Sequence, residues 1–347
     1  MRMARMLESA DERLPGGDGG RSLLLAVMLV AIILGGWELF WRSRGWTPTV
    51  EGNQESWILA RGRIRPTSTV ITGTSRIQGA LDPATWSEVT GERAPIQLAV
   101  AGASPLPVLE DLAADSSFHG LVLAELMPFF TFDAKLAAEE NTRTYLAAYR
   151  DAESGPAVRW EAWFRTHVPN HMVFRRTKLL PHRFSSAYKS NDLAPPHSYQ
   201  RSDRYHPISF SDEYRRTVTP AMLDSSHFQN LRKRTTPATG AELQGLHARI
   251  RASIARIVAH GGRVVLIHLS ACGGRRIVED GLYPDAVYWE PLRTIPGITL
   301  IDSNDHPEIA TLPCLDGSHI DARDAPMVTR LLAKLSGAAL PAGAAAR

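Results

Sequence analysis

The sequence predicts an α/β protein with three layers, in which helices cover both faces of a mostly parallel sheet. Short apolar runs recur along the chain and alternate with segments of helical periodicity, as in strands joined by helical crossovers. A chain of 347 residues with 44% hydrophobic residues can also bury a full core. We therefore expect one large domain that carries a sizeable insertion.

Five apolar runs are the predicted strands, in chain order 69–72, 96–100, 120–126, 264–269 and 298–302. Apolar residues at helical spacing predict helices that begin near Leu106 and Ala241, and a last helix at 322–335. The segment from about 127 to 240 has little periodicity and is rich in Pro, His, Arg and Tyr. Because a structureless loop of this length is unusual in a compact domain, we expect an inserted cap with short helices.

The run from Ser22 to Trp41 carries no charge before Glu38 and has the roughly 20 residues that a helix needs to cross a membrane. A cleaved signal peptide is the alternative, but no small-x-small cleavage site follows the run. Arginines precede it, so the positive-inside tendency leaves the short N-terminus in the cytoplasm. We predict a single-pass protein of the cytoplasmic membrane whose main domain is periplasmic or otherwise extracytoplasmic.

The predicted organisation follows from this anchor. It comprises a cytoplasmic N-terminus (1–21), a transmembrane anchor (22–41), a juxtamembrane linker (42–66), the α/β domain (67–336) and a flexible tail (337–347). Outside the cytoplasm Cys272 and Cys314 would meet an oxidising environment, where a disulfide can persist. Two separate buried thiols remain the alternative.

Charge and histidine spacing argue against two classes of function. The formal net charge is only +3 and the basic residues are scattered, so we expect no nucleic-acid partner. Histidines in the insertion are irregularly spaced and interrupted by prolines, so we expect no metal site and no cofactor. They are His167, His171, His182, His197 and His206.

Two distant stretches together carry the predicted chemistry. Ser75 follows the first strand and Gly73, where it is either a helix N-cap or a nucleophile at the sheet edge. Asp316 and His319 lie three residues apart, just before the last helix. A serine nucleophile needs a base, and that base works best when a carboxylate orients it. His306 is a competing base, but it lies farther from the last helix.

These residues resemble the SGNH, or GDSL-like, hydrolase family, whose members carry a Gly-Asp-Ser block near the start and Asp-x-x-His near the end. The resemblance implies a flavodoxin-like SGNH fold with Ser75 as nucleophile, His319 as its base and Asp316 as the orienting group. It implies that the backbone N–H of Gly102 binds the oxyanion. An α/β-hydrolase elbow is disfavoured, because no second glycine follows Ser75.

The chain departs from this family in two places. Thr74 stands where the family has Asp, and Glu125-Leu126-Met127-Pro128 follows the third strand, where the family has Gly-x-Asn-Asp. Membrane-anchored relatives that handle acyl groups on exported polymers, the DltD-like and alginate-acetylation proteins, depart similarly. Their Gly-Ser/Thr-Ser-Arg start is similar to Gly73-Thr74-Ser75-Arg76, which makes Arg76 a candidate substrate-binding residue.

The expected function is an outward-facing serine O-acyl esterase or O-acyltransferase that acts on a cell-surface or exported polysaccharide. Its partners would be a carbohydrate or acylated polymer and a membrane-bound O-acyltransferase. The alternative is a non-catalytic partner that binds the polymer or the acyltransferase. Two further residues lie near the predicted edge. Glu125 is either an acid near the pocket or, as is more usual for a charged residue that ends a strand, faces water. His268 either points toward the site or is a satisfied strand-end histidine, and we expect the latter.

Overall fold

The computed structural model describes residues 19–50, 54–135, 137–153, 155–167, 171–173, 176, 179–180, 184–185, 189, 198–218 and 224–338. Most of the predicted N-terminal segment, most of the predicted tail and parts of the predicted insertion lie outside these residues. Contacts divide the chain into two compact units. One is Met1–Thr47 with Met172–Pro195, and the other is Pro48–His171 with Pro196–Arg347.

The larger unit is built on a five-stranded sheet in which every pairing is parallel. The strands are β1 (Thr69–Thr72), β2 (Ile96–Gln97), β3 (Leu121–Glu125), β4 (Arg263–His268) and β5 (Thr299–Asp302). Their order, β2-β1-β3-β4-β5, is the flavodoxin-like order. The predicted α/β class with a mostly parallel sheet is therefore confirmed.

Strand β2 is shorter than predicted, because only two residues keep strand geometry before the chain turns. The chain nevertheless continues alongside β1. Leu98 N–H donates to Ile71 O at 2.8 Å and Val100 N–H donates to Gly73 O at 3.0 Å. This continuation carries the turn after Val100 past the end of β1.

Helices precede β1, fill the connections between strands and follow β5. They are α1 (Gly19–Ser43), α2 (Gln54–Arg61), α3 (Ser75–Ala80), α4 (Pro83–Thr90), α5 (Leu106–Ala114), α6 (Pro128–Thr131), α7 (Ala137–Glu153), α8 (Pro156–His167), α9 (Asp212–Thr217), α10 (Ser225–Arg234), α11 (Gly240–Ala259), α12 (Gly273–Leu282), α13 (Asp285–Tyr288), α14 (Glu290–Arg293), α15 (Pro307–Ala310) and α16 (Ala325–Leu335).

The core lies in two layers, one on each face of the sheet. Alternate residues of a strand point to opposite faces, so Val122 packs with α5 and α11 while Leu123 packs with α3 and α16. Apolar residues fill both sides of the central strand β3, as expected for a parallel sheet covered by helices. This arrangement leaves the two ends of the strands as the places where polar side chains gather.

Helix α2 lies within the segment predicted as a linker, yet it belongs to the core. Trp57 is fully buried, and its indole N–H donates to Leu98 O at 2.8 Å. A buried Trp that finds a hydrogen-bond acceptor contributes both apolar area and a fixed orientation. The compact unit thus begins upstream of the predicted boundary at residue 67.

The smaller unit contains α1, which is long and apolar enough to cross a membrane. Its apolar side chains from Leu23 to Leu34 are exposed, as expected for a surface that lipid would cover. At its end Trp41 is buried with Trp46 against Val173 and Leu179. Trp41 therefore packs within this unit.

Candidate active site

The turn after β1 presents Ser75 as the first residue of α3. Thr74 is the N-cap, because its Oγ1 accepts a hydrogen bond from Arg76 N–H at 3.2 Å. Gly73 has φ +152°, which L side chains rarely adopt. The N-cap interpretation of Ser75 is wrong, since Thr74 performs that role and leaves the Ser75 hydroxyl available for another partner.

The Ser75 hydroxyl lies within hydrogen-bond distance of the predicted histidine, which is 244 residues away in the sequence. Ser75 Oγ lies 2.8 Å from His319 Nε2, and His319 Nδ1 lies 2.6 Å from Asp316 Oδ2. Both distances are hydrogen bonds, so the three side chains form one continuous Ser-His-Asp chain. All three are partly accessible from outside. His319, and not His306, is the histidine that is hydrogen-bonded to the serine.

Asp316 is held by its own loop. Its Oδ1 accepts the backbone N–H groups of Ser318 and His319, both at 2.8 Å. Burial by itself raises the pKa of Asp316, but the hydrogen bonds and charge of His319 and these two N–H groups outweigh it and lower the pKa overall. The carboxylate therefore stays ionised beside His319 Nδ1, where it orients the ring and stabilises a protonated imidazole.

A disulfide joins Cys272, just before α12, to Cys314, two residues before Asp316. The two Cα atoms are 5.7 Å apart, and Cys272 N–H donates to Gly317 O at 3.1 Å. Of the two alternatives for the cysteines, the paired one is confirmed. The bond and this hydrogen bond together tie the Asp316 to His319 loop to the segment after β4.

Among the residues that the structure describes, two unpaired backbone N–H groups follow the ends of β1 and β2, at Ser75 and Gly102. Gly102 follows Val100, the residue bonded to Gly73 O, and has φ +70°. Within the described part of the chain, neither the Ser75 N–H at the start of α3 nor the Gly102 N–H has a hydrogen-bond acceptor. An unpaired N–H beside a serine hydroxyl is the kind of group that stabilises an oxyanion.

Arg204 supports the backbone that leads to Gly102, and sequence reasoning missed it. Its guanidinium is buried and donates to Gln97 O and Ala99 O, each at 3.0 Å. Burial lowers the pKa of Arg204 to about 10. The residue lies in the irregular insertion, where no periodic pattern singles it out.

Glu125 ends β3, and its environment differs from the expected one. The expectation that it faces water is wrong: its side chain is fully buried, and Oε2 accepts Thr74 N–H at 2.7 Å. A Cβ on Gly73 would lie 2.7 Å from this same Oε2, so only glycine fits there. Burial raises the pKa of Glu125 and outweighs the lowering effects of Arg76 and the Thr74 N–H. Glu125 thus holds the turn that presents Ser75.

Arg76 lies beneath the site, so its prediction as a substrate-binding residue needs correction. Its side chain is only 1% exposed and forms a two-pronged ion pair with Glu279 of α12. The same guanidinium donates to Leu269 O at 2.8 Å and to Ser318 Oγ at 3.1 Å. With these partners engaged and water excluded, Arg76 links the start of α3 to the residue that precedes His319.

His268 is a satisfied strand-end histidine, as expected. Its Nδ1 lies 3.1 Å from Asp302 Oδ2, and its ring stacks on Trp289 with centroids 4.1 Å apart.

No group of three or more His, Cys, Asp or Glu side chains suited to a metal ion occurs among the described residues. His182 and His197 lie outside them. Comparison of the sequence with protein-family models and with curated proteins finds no match.

Proposed function

We propose that the protein is a serine O-acyl esterase or O-acyltransferase of the SGNH type, acting through an acyl-serine. The observation that carries this proposal is the unbroken hydrogen-bond chain from Ser75 through His319 to Asp316 at the carboxyl edge of a flavodoxin-like sheet. Sites on such sheets gather at that edge. Serine, imidazole and carboxylate in this order are the parts that acyl transfer requires.

The chemistry follows from the geometry. Ser75 Oγ attacks the carbonyl carbon of an acyl ester while His319 Nε2 takes the hydroxyl proton. The tetrahedral oxyanion is stabilised by the unpaired N–H groups of Ser75 and Gly102. His319 then gives its proton to the departing alcohol, and an acyl-serine remains. Water or a sugar hydroxyl next loses its proton to His319 and attacks the acyl carbon. The bond to Ser75 Oγ then breaks, and His319 returns the proton to that oxygen.

The substrate class rests on the resemblance together with the apolar helix α1. A helix that can cross a membrane would hold the domain at the surface of the cytoplasmic membrane, on the periplasmic or extracytoplasmic side. Exported polysaccharides carry O-acyl groups that such an enzyme would remove or transfer. A membrane-bound O-acyltransferase is the partner that would supply the acyl group to a transferase.

A serine-directed fluorophosphonate tests the nucleophile. We expect detergent-solubilised wild-type protein to become labelled, and Ser75→Ala and His319→Ala to remain unlabelled. Ser87→Ala is the matched control, because Ser87 is a partly buried helical serine whose hydroxyl donates only to its own helix. Labelling of Ser75→Ala at the wild-type rate would contradict the proposal.

A second candidate function has one observation in its favour. The family's asparagine position holds an apolar segment, in which Met127 Sδ accepts from Thr74 Oγ1 at 3.7 Å, so no side-chain amide donor faces an oxyanion from there. Loss of one such donor costs about 2.7 to 4 kcal/mol of transition-state stabilisation. A non-catalytic partner of an acyltransferase would tolerate this loss. Ser75→Ala would then leave cellular polymer acylation unchanged.

A further inference from the structure

A second cavity lies away from the Ser75 site. Its walls come from α2, α7, α8 and the loop at Ser202, and its volume is about 350 Å³. Ligand pockets begin at roughly this size, about 300 Å³. None of the residues that line it belongs to the Ser75, His319 and Asp316 chain.

One wall of the cavity is aromatic. Trp163 lines it and is 41% exposed, and its ring stacks between Trp160 and His167 with centroids 5.0 and 5.1 Å apart. Tyr149 lines the cavity as well. The part of the ring that stays exposed offers apolar surface against which the C–H groups of a sugar ring can pack. A partly exposed aromatic ring in a cavity with both apolar and polar walls therefore suits a saccharide.

A buried polar atom without a partner points to a ligand in the same place. Thr166 lines the cavity and is only 3% exposed, yet its Oγ1 has no hydrogen-bond partner in the part of the chain that is described. Burying a hydroxyl without a partner is costly, so such an atom is normally satisfied by something else. A hydroxyl-rich ligand in the cavity would provide that partner.

The charges in the cavity favour an anionic ligand. Arg63 and Arg159 both line it with exposed side chains, and neither forms an ion pair among the described residues. The cavity's carboxylate, Glu153, accepts the Tyr149 O–H at 2.5 Å. Two unpaired guanidinium groups match a carboxylate or a similar anionic substituent on a sugar.

We propose that this cavity binds an anionic sugar unit of a polysaccharide, packed against the exposed part of Trp163 and paired with Arg63 and Arg159. The proposal deepens the proposed function, because it names where the polymer is held while another part of it reaches Ser75. A membrane surface is the competing occupant, since Trp160 and Phe164 are exposed on α8. The two arginines and the unpaired Thr166 hydroxyl favour the saccharide, because a helix lying in lipid buries an apolar face and needs no recess with such polar groups.

Titration calorimetry on the full chain in detergent tests the site. The probes are tetragalacturonic acid and neutral maltotetraose. We expect saturable binding with tetragalacturonic acid preferred. Trp163→Ala should weaken it by about tenfold. Arg159→Gln should weaken the binding of tetragalacturonic acid by about fivefold and the binding of maltotetraose by less than about twofold. Phe164→Ala, an exposed aromatic of the same helix outside the cavity, and Arg256→Gln, an exposed arginine of α11, should bind as wild type does.

Three results would overturn the proposal: no saturable binding of either oligosaccharide, undiminished binding by Trp163→Ala, or a loss of binding in Phe164→Ala as large as that in Trp163→Ala. Ser75→Ala separates this site from the catalytic proposal. It should bind tetragalacturonic acid normally while it loses fluorophosphonate labelling. Failure of the labelling experiment would thus leave the binding result intact, and the reverse also holds.

Discussion

Replacement of Arg76 by Met tests how the site is held together. Arg76 and Glu279 are 1% and 3% exposed, so the substitution leaves a buried carboxylate without its main partner. Stranding one member of a buried ion pair typically costs about 3 to 5 kcal/mol. Arg275 remains 3.0 Å from Glu279 and compensates in part for the lost charge. We therefore expect the free energy of unfolding to fall by about 3 kcal/mol, the lower end of that range. For a domain of this size that lowers Tm by roughly 6 °C.

The assay is thermal unfolding of the full chain in detergent, followed by circular dichroism. Arg276→Met is the matched control, because its ion pair with Asp280 lies on the same helix but is 39% and 56% exposed. Such a surface pair contributes less than about 0.5 kcal/mol. If Arg76→Met loses no more stability than Arg276→Met, the buried pair does not brace the site and the reasoning is refuted.

Three further predictions concern the same region. Because burial raises the pKa of Glu125, the stability it contributes is complete below its unfolded pKa of about 4.3 and is lost as pH rises through the folded pKa. Urea midpoints of wild type and Glu125→Gln should therefore diverge as pH rises above about 4, in favour of the variant, and a pH-independent difference would exclude this origin. In urea unfolding, Gly73→Ala should lower the free energy of unfolding by about 2 to 4 kcal/mol. Gly245→Ala, whose Cβ would lie in open space on a helix, should raise it by about 0.5 to 1 kcal/mol. Equal effects of the two substitutions would contradict the steric argument. The double variant Cys272→Ser, Cys314→Ser should lower the free energy of unfolding by about 3 to 4 kcal/mol and slow fluorophosphonate labelling. Unchanged labelling would show that the disulfide does not position the loop that carries His319.

The sequence predicted the parts of the site that depend on local spacing and on strand direction. Asp316 and His319 lie three apart, which lets one loop both bind the carboxylate with its own N–H groups and direct it at the ring. Ser75 could be paired with them because parallel strands end at one edge of the sheet. The five-stranded parallel sheet was predictable for a similar reason, since each buried strand is a short apolar run.

The roles of Arg76 and Glu125 could not be predicted in the same way. Arg76 resembles a family motif residue, but its orientation depends on Glu279, which is 203 residues away. From the sequence alone, Glu279 would be taken for the i,i+4 partner of Arg275 on an exposed helix surface. Glu125 ends a strand, where a carboxylate usually meets water, but it is buried and the turn at Gly73 and Thr74 lies directly against it. Long-range packing decides both cases, and local patterns carry no signal of it.

The most direct test of the central claim is to trap an acyl-serine. Full-length protein is mixed with 4-nitrophenyl acetate, quenched in acid, digested and analysed by mass spectrometry. We predict a stoichiometric burst of nitrophenolate and an acetyl group on the peptide that contains Ser75. His319→Ala should show neither, because Ser75 Oγ then lacks the imidazole that lies 2.8 Å away. A wild-type protein that gives no burst and no acetyl group on Ser75 would contradict the account.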